Sequence, residues 1–324
     1  MTEMPLGKAI NAGLRRAMES DPKVLVMGED VGRLGGVFRV TDGLQKDFGE
    51  DRVIDTPLAE SGIIGTAVGL ALRGYRPVCE IQFDGFVFPA YDQIVSQVAK
   101  MHFRSGGKLR MPIVIRIPYG GGIGAVEHHS ESPEAYFAHT PGLKVVSCAN
   151  AADAYWMIQQ AITLDDPVLF FEPKRRYWMK SDATLPVTTE PARQAVVRRE
   201  GTDATLVAYG PMVRTALDAA IAAEDEGYDL EVVDLRSLAP LDTPTVLASL
   251  ERTGRVVVIH EAAGTLGMGA EVAARLQEQG FYHLEAPVLR VTGFDTPYPP
   301  AKLEEYWLPD VDRILDAVER ALTY

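Results

Sequence analysis

The feature that most constrains the fold of this chain is an alternation of short apolar strands with amphipathic helices, which runs twice along its 324 residues. Strands such as MPIVIRIP (111–118) are almost entirely apolar, as strands buried on both faces of a parallel sheet are. The chain turns polar between 181 and 201, and the alternation restarts with ATLVAYG and LEVVDLRSLAP. We therefore predict an α/β protein with two doubly wound, mostly parallel-sheet domains, divided as residues 1–185, a linker at 186–200 and residues 201–324.

The composition excludes several classes of function. The chain has 32 Lys+Arg against 45 Asp+Glu, a formal net charge of -13, so we expect no binding to nucleic acid or to an anionic membrane surface. Cys79 and Cys148 lie in apolar runs and are interpreted as small buried side chains rather than as a disulfide or metal site. Because no run reaches the ~18 apolar residues of a membrane span and no signal-peptide core is present, we expect a cytoplasmic protein.

A glycine-rich segment with two adjacent histidines follows the apolar strand at 111–118. Its glycines come first, then His128 and His129, then Ser132 and Pro133, which predict a helix start with serine as the cap. The histidines thus lie between a strand end and a helix, where α/β proteins place reactive groups. Spacing alone leaves open whether one is catalytic or whether both serve the loop by contacting a carbonyl and water.

Acidic and aromatic residues occupy other strand ends of the first half. Glu29 follows a strand, Glu60 opens a helix rich in small residues, and Phe83 and Phe86 precede FPAYDQIVSQVAKMHF (88–103), which predicts one helix. Each has an ordinary structural interpretation: solvated acids, a carboxylate at a helix N-terminus, and aromatic core packing. If the strand ends share one edge of the sheet, these side chains converge with the histidines.

The chain lacks the usual means of independent catalysis. No serine lies in a nucleophile elbow, and no Cys/His spacing suits a metal, so a catalytic site here would take its nucleophile from a cofactor. GTLGMGA (264–270) fits neither the Walker nor the dinucleotide fingerprint, and a packing role is favoured for its glycines. A cofactor with a diphosphate tail would therefore need its phosphate site from another chain.

Four runs in order resemble the β subunit of thiamine-diphosphate-dependent 2-oxo acid dehydrogenases: DTPLAESG, EIQFDGFVFPAYDQIVSQVAK, PYGGGIGAVEHHSESPEAYFAHTPGLKVV and GFDTPYP. The resemblance covers nearly the whole chain. It implies transketolase-like pyrimidine-binding and C-terminal domains and an α2β2 heterotetramer. In that family the α subunit holds the diphosphate and Mg²⁺ through a Gly-Asp-Gly motif, which is absent from this sequence.

The resemblance also implies roles for individual residues. Glu60 corresponds to the glutamate that hydrogen-bonds the aminopyrimidine ring, and Phe86 to the aromatic residue that stacks on it. His129 corresponds to the histidine that exchanges protons during reductive acylation of the lipoyl group, with His128 as a neighbour of no assigned role. The remaining implied contacts are with the cofactor, through Glu29, Leu58 and Gln82, and with the substrate, through Phe83 and His129.

The implied substrate is a 2-oxo acid. SPEAYFAH and FPAYDQIV resemble the branched-chain members more than the pyruvate members, and a pyruvate dehydrogenase β subunit remains the alternative. The implied partners, besides the α subunit, are the lipoyl domain and the basic subunit-binding domain of the dihydrolipoyl acyltransferase. The acidic surplus suits a basic partner, although it is equally explained by solubility.

Two other hypotheses remain open. A complete single-chain thiamine enzyme of the transketolase kind needs a diphosphate motif within the chain, which this sequence lacks. A non-catalytic assembly scaffold or electron-transfer partner would use the doubly wound domains only for association. Such a protein would have no need of Glu60, Phe86 and His129 together.

Overall fold

The computed structural model describes residues 2–324. The strands of this part of the chain are β1 (Glu3–Pro5), β2 (Val24–Gly28), β3 (Val53–Asp55), β4 (Arg76–Glu80), β5 (Val114–Tyr119), β6 (Lys144–Ser147), β7 (Val168–Pro173), β8 (Lys180–Asp182), β9 (Val196–Arg199), β10 (Ala204–Ala208), β11 (Leu230–Asp234), β12 (Ser237–Ala239), β13 (Val256–Ala263) and β14 (Leu289–Gly293). Its α-helices are α1 (Leu6–Ser20), α2 (Leu44–Phe48), α3 (Glu60–Leu72), α4 (Met101–Arg104), α5 (Glu134–Ala138), α6 (Ala151–Thr163), α7 (Met212–Glu224), α8 (Thr243–Thr253), α9 (Met268–Gln279), α10 (Glu304–Trp307) and α11 (Val311–Leu322).

The first sheet has seven strands in the order β12-β6-β7-β5-β4-β2-β3. All neighbours are parallel except β12, which is antiparallel to β6. Helices α1 and α6 pack together on one face, and α3 with the segment 84–104 covers the other. Since β5 is the middle strand, the glycine and histidine segment that follows it leaves the sheet at its centre, between the ends of β4 and β7.

The middle strand β5 contains one buried charged residue, Arg116, within an otherwise apolar run of the sequence. Arg116 has no exposed surface, and its guanidinium contacts Glu80 of β4 at 2.6 Å and Glu172 of β7 at 2.6 Å. Buried charges are tolerated when they are paired and hydrogen-bonded in this way. Cys79 and Cys148 are both buried and free, as predicted.

The second sheet has five strands in the order β14-β13-β10-β11-β9, all parallel except β9. Helices α7 and α11 lie on one face, and α8 and α9 lie on the other. Val196–Arg199 fall within the stretch predicted as the linker at 186–200, but they form β9. The polar composition of this segment reflects an edge strand, which needs an apolar side chain on one face only.

The chain crosses back to the first sheet after β11. LEVVDLRSLAP, predicted as one strand, breaks at the buried Arg236, whose φ is +56°. The three residues of β12 then pair with β6 of the first sheet. The two halves of the chain therefore share a sheet.

The helix predicted at 88–103 is divided into shorter pieces. A 3₁₀ helix at Asp84–Ala90 leads into a π-helical turn at Gln93–Val98 and then into α4. Pro89 lies inside the first piece and has no N–H to donate to the carbonyl of Gly85, so the residues from Asp84 to Ala90 do not form a continuous α-helix. The 3₁₀ piece carries Phe86 past the end of the first sheet.

Candidate functional site

The glycine-rich loop after β5 is bound to the second half of the chain. The Gly121 N–H donates to the Glu261 carboxylate at 3.0 Å, and the N–H groups of Gly122 and Gly124 both donate to Glu304, the latter at 2.8 Å. Consecutive backbone N–H groups of this kind form a binding place for anions. Here the two internal carboxylates already fill it, so these donors are not free to bind a phosphate.

The two histidines lie on one short 3₁₀ turn, Glu127–His129, in different environments. His128 is exposed to solvent, whereas His129 is partly buried. The ring centroid of His129 lies 4.1 Å from that of Phe83 and 5.1 Å from that of Phe86. Its Nδ1 atom is buried and has no hydrogen-bond partner among residues 2–324. The structure thus separates a pair that the sequence could not distinguish.

The pKa of His129 is lowered from its ordinary value of 6.5. Burial is the largest cause, and the neighbouring His128 and the Lys174 ammonium add to it, while Glu127 opposes them. Near neutral pH the imidazole is therefore mostly uncharged. A neutral ring with a free buried nitrogen can accept a proton and later return it.

The helix after the histidines begins later than predicted. We expected Ser132 to cap a helix with Pro133 as its first residue, but α5 starts at Glu134, Pro133 is the N-cap, and no side chain caps the helix. Glu134 does lie in the first turn, yet it is buried and accepts a hydrogen bond from the Tyr209 hydroxyl at 2.6 Å. Burial raises the pKa of Glu134 to about 8. Its main contact is thus with the second domain.

Two carboxyl groups form a second part of the site. Glu29 follows β2, Glu60 is the first residue of α3, and both are 7% exposed. Burial raises the pKa of Glu29, and the nearby negative charge of Glu60 raises it further. The Glu29 Oε1 atom is buried and has no partner among the described residues. The Gln82 side-chain amide donates to Asp30 at 3.1 Å and to the Glu29 carbonyl at 3.4 Å, so Gln82 lies beside this pair.

The segment from Gln82 to Phe86 joins the carboxyl pair to the histidine. The 3₁₀ helix at Asp84–Ala90 packs against α3 on one side and against the histidine turn on the other. A Cβ atom at Gly85 would lie 2.4 Å from the His128 carbonyl oxygen, so only glycine allows this approach. Leu58 differs from the other predicted residues, because its side chain is 81% exposed in the loop before α3.

The sequence analysis did not identify a buried ion pair beneath the histidine turn. The Lys174 ammonium donates to the Asp84 carboxylate, and neither side chain has exposed surface. The same ammonium lies 5.5 Å from the centroid of the Phe83 ring. The only signal in the sequence is the presence of charged residues in two largely apolar runs, Asp84 in QFDGFVF and both Glu172 and Lys174 in VLFFEPK, and nothing in the sequence connects the two runs.

Comparison with known proteins decides the family. Residues 2–179 match the family described as "Transketolase, pyrimidine binding domain", and residues 193–314 match "Transketolase, C-terminal domain". The chain is 62% identical to "Pyruvate dehydrogenase E1 component subunit beta" of Leifsonia xyli subsp. xyli, over 99% of this chain and 95% of that protein. The chain belongs to the E1 β subunits of 2-oxo acid dehydrogenases.

Other members of the E1 β family have different names. "3-methyl-2-oxobutanoate dehydrogenase subunit beta" of Mycobacterium tuberculosis is 58% identical over 97% of this chain and 91% of its own length. "Pyruvate dehydrogenase E1 component subunit beta" of Staphylococcus epidermidis is 46% identical over the full length of both chains. Both a pyruvate name and a branched-chain name thus occur among close relatives. Family membership is established, but it does not decide the substrate.

A solved structure with the same fold is titled "Split gene transketolase, inactive beta4 tetramer". It matches with a TM-score of 0.82 and 27% identity, and it covers 99% of this chain and 98% of its own. The predicted α/β fold with two transketolase-like domains is therefore confirmed. Enzymes of the transketolase family use thiamine diphosphate, and E1 β subunits form complexes with an α subunit.

Neither a metal centre nor a membrane-spanning helix occurs among the described residues. Residues 2–324 contain no group of three or more His, Cys, Asp or Glu side chains arranged to hold a metal ion. Within the same residues, every helix is too short or too polar to cross a membrane.

Proposed function

We propose that this E1 β subunit acts with an α subunit, in an α2β2 heterotetramer, as a branched-chain 2-oxo acid dehydrogenase. The enzyme decarboxylates a 2-oxo acid and transfers the acyl group to the lipoyl group of a dihydrolipoyl acyltransferase. One observation supports this most directly: in the first domain, a buried carboxyl pair and a half-buried histidine both lie beside the segment from Gln82 to Phe86, which carries two aromatic rings. This is half of a site for a flat, polar cofactor.

The residues of this segment fit the ring end of thiamine diphosphate. Glu29 Oε1 and His129 Nδ1 are buried polar atoms without a partner in the described chain, and such atoms are rare unless a ligand completes them. Phe86 offers a ring face for stacking, and Glu60, with Leu58 and Gln82, would border the aminopyrimidine. When bound, thiamine diphosphate supplies the carbon nucleophile and electron sink that decarboxylation requires.

Glu60 would hold a hydrogen bond to a ring nitrogen of the aminopyrimidine. The pKa of the adjacent Glu29 is raised by burial and by the negative charge of Glu60. Its buried Oε1 atom has no partner in the described chain, so it could take a hydrogen bond from the same bound ring.

His129 would act at the lipoyl sulfur, with Phe83 bordering the same substrate pocket. In reductive acylation one sulfur of the lipoyl disulfide bonds to the acyl carbon, the sulfur–sulfur bond breaks, and the other sulfur takes a proton to become a thiol. The two electrons come from the acyl carbon, which is oxidised from the aldehyde to the acid level. The neutral His129 would first accept the proton that the hydroxyl group on the acyl carbon releases as it becomes a carbonyl, and would then donate it to that sulfur.

The diphosphate and its Mg²⁺ would be held by the α subunit. In this chain the amide donors of the glycine-rich loop are occupied by Glu261 and Glu304, so they do not offer a phosphate site. The solved relative whose title describes a tetramer of β chains is called inactive, which agrees with a site completed by another subunit. We propose further that the acidic surface binds the basic subunit-binding domain of the acyltransferase, and that the complex is cytoplasmic.

One assay, the release of CO₂ from two different 2-oxo acids, distinguishes branched-chain activity from pyruvate activity. The branched-chain hypothesis rests on the motifs at 88–95 and 132–139, whereas the pyruvate alternative has support from the name of the relative that is 62% identical. We would measure CO₂ release from 2-oxoisovalerate and from pyruvate, first with this chain alone and then with its α subunit. A higher kcat/KM for pyruvate would reverse the substrate assignment. Activity of this chain alone would contradict the shared site, and inactivity of a folded tetramer with both acids would favour a scaffold.

A further inference from the structure

The loop that contains His129 lies between two buried, oppositely charged side chains. It leaves the middle strand β5, and its neighbours in the sheet are β4 and β7. Asp84 lies a few residues after β4, and Lys174 is the first residue after β7. The two charged groups therefore come from the strands on either side of the strand that delivers the histidine.

Both members of the ion pair also bind the backbone, Lys174 at the last residue of the histidine turn and Asp84 two residues after it. The Lys174 Nζ donates to the carbonyl oxygen of His129 at 2.6 Å. The other carboxylate oxygen of Asp84 accepts a hydrogen bond from the Glu131 N–H at 2.8 Å. The pair thus contacts the chain on both sides of Ser130, with a donor at the carbonyl and an acceptor at the amide.

Stability alone is a weak explanation for this arrangement. Transferring two charges from water into the protein interior is unfavourable, and apolar residues of similar volume often replace a buried pair without loss of stability. A pair of apolar side chains could not bind the His129 carbonyl or the Glu131 amide. What the charges add is a fixed position of the backbone at residues 129–131.

We propose that Asp84 and Lys174 are positioning residues for His129. They hold the turn from two strands of the sheet, so that the imidazole stays against Phe83 and Phe86. This inference rests on the proposed function for the role of His129, but the hold on the turn itself is independent of it. Placement matters because an error of about 1 Å in a reacting group can cost about 100-fold in rate.

Two variants of the assembled α2β2 enzyme distinguish the hold on the turn from simple charge neutrality. Lys174→Met removes the donor and leaves Asp84 unpaired, while the double variant Asp84→Leu/Lys174→Met removes both charges and fills a similar volume. Reductive acylation of a lipoyl domain is measured beside decarboxylation with an artificial electron acceptor. Hydrogen exchange of peptides that cover residues 127–133 reports the hold on the turn.

We expect both variants to lose lipoyl acylation by about 10- to 100-fold, with a much smaller loss of decarboxylation and faster exchange of the turn. Arg236→Met is the matched control, because Arg236 and Asp153 also form a fully buried pair and the hydrogen bonds of Arg236 lie outside the turn. It should lower thermal stability without changing the ratio of the two activities.

Three outcomes would overturn the proposal. Recovery of lipoyl acylation in the double variant would mean that the pair serves charge neutrality only. Unchanged exchange of residues 127–133 would mean that the pair does not hold the turn. An equal loss of both activities would remove the specific link to His129. If the unsubstituted enzyme accepts no 2-oxo acid, the proposed function fails, while the exchange measurement still tests the hold on the turn.

Discussion

At the scale of single residues, two adjacent side chains of the same type have different surroundings. His128 faces solvent, and its neighbour His129 lies against Phe83 with one ring nitrogen buried. The sequence cannot distinguish them by spacing, because the difference arises from Phe83 and Phe86, which come from another strand end. The family resemblance assigns the role in acyl transfer to His129 rather than His128, and this assignment remains a prediction.

Replacing His129 tests its proposed role in acyl transfer. We expect His129→Ala to lower lipoyl acylation by about 100- to 10,000-fold, the usual contribution of a positioned acid or base, and to affect decarboxylation with an artificial electron acceptor much less. His128→Ala is the matched control and should change neither rate appreciably. Equal losses in both assays for His129→Ala would assign this residue to the first chemical step instead.

Glu60 offers a second test at this scale. Glu60→Gln keeps the size of the side chain but removes the carboxyl group that is proposed to bond the aminopyrimidine. We expect decarboxylation to fall by about 100-fold or more, because the cofactor would lose its proton relay, while the α2β2 assembly stays intact by gel filtration. Glu50→Gln, at an exposed position, should have no effect. Normal turnover in Glu60→Gln would exclude the role.

At the scale of elements, regular periodicity corresponds to regular structure where one face of a helix is buried and the other is exposed. Ala9, Ile10, Leu14, Ala17 and Met18 recur at helical spacing in the sequence, and all five are buried on α1 (Leu6–Ser20). The prediction of one helix at 88–103 was wrong, because its first residues belong to the 3₁₀ helix at Asp84–Ala90, which packs against the histidine turn, and the rest contains a π-helical turn before α4. Irregular helices of this kind are common at functional sites, where local geometry serves a ligand rather than the helix.

Gly85 tests the packing between the 3₁₀ helix at Asp84–Ala90 and the histidine turn. A Cβ at this position would approach three atoms of His128 within 2.8 Å, two of them backbone atoms, so Gly85→Ala must displace the turn. We expect lipoyl acylation to fall about 10-fold or more, with a smaller loss of decarboxylation.

Gly7→Ala is the matched control for Gly85→Ala. Its Cβ would meet Tyr177 at an ordinary 3.5 Å, and alanine should stabilise α1 by up to about 1 kcal/mol. Wild-type acyl transfer in Gly85→Ala would mean that the turn tolerates the displacement and that its position is not critical.

At the scale of the whole molecule, the halves are joined by contacts that no local pattern reveals. One buried apolar cluster runs from Tyr119 and Phe137 in the first half to Val207 and Leu250 in the second. The Arg175 guanidinium contacts Glu261 at 2.7 Å across the same boundary. Sequence patterns predicted two α/β halves, because that follows from alternation along the chain. They could not predict which distant side chains meet, as the Asp84 and Lys174 pair illustrates.

Glu134 links the two halves and makes stability depend on pH. Its folded pKa of about 8 lies above the ordinary value of 4.5, so between these values the folded state binds a proton that the unfolded state has released. The free energy of unfolding should therefore fall as pH rises through this window, by up to about 1.4 kcal/mol per pH unit. Glu134→Gln, which can still accept the Tyr209 bond, should lack this slope.

Urea denaturation of the wild-type and Glu134→Gln chains at pH 5 and pH 8 measures the effect. The variant should match the wild type near pH 5 and exceed it at pH 8. Parallel pH profiles for the two proteins would mean that Glu134 is not protonated in the fold. Tyr209→Phe removes the hydrogen bond while leaving the Glu134 carboxyl group in place, so it should lower stability at both pH values and keep the slope with pH.

The return of Ser237–Ala239 to the first sheet constrains any attempt to exchange modules between relatives. A chimera joined at the polar segment near residue 190 would pair the β6 edge of one parent with β12 of the other, where Arg236 must also meet Asp153. During synthesis, that edge has no partner until residue 239 has left the ribosome, and exposed strand edges invite pairing with other chains. The first half of the polypeptide is thus finished by the second.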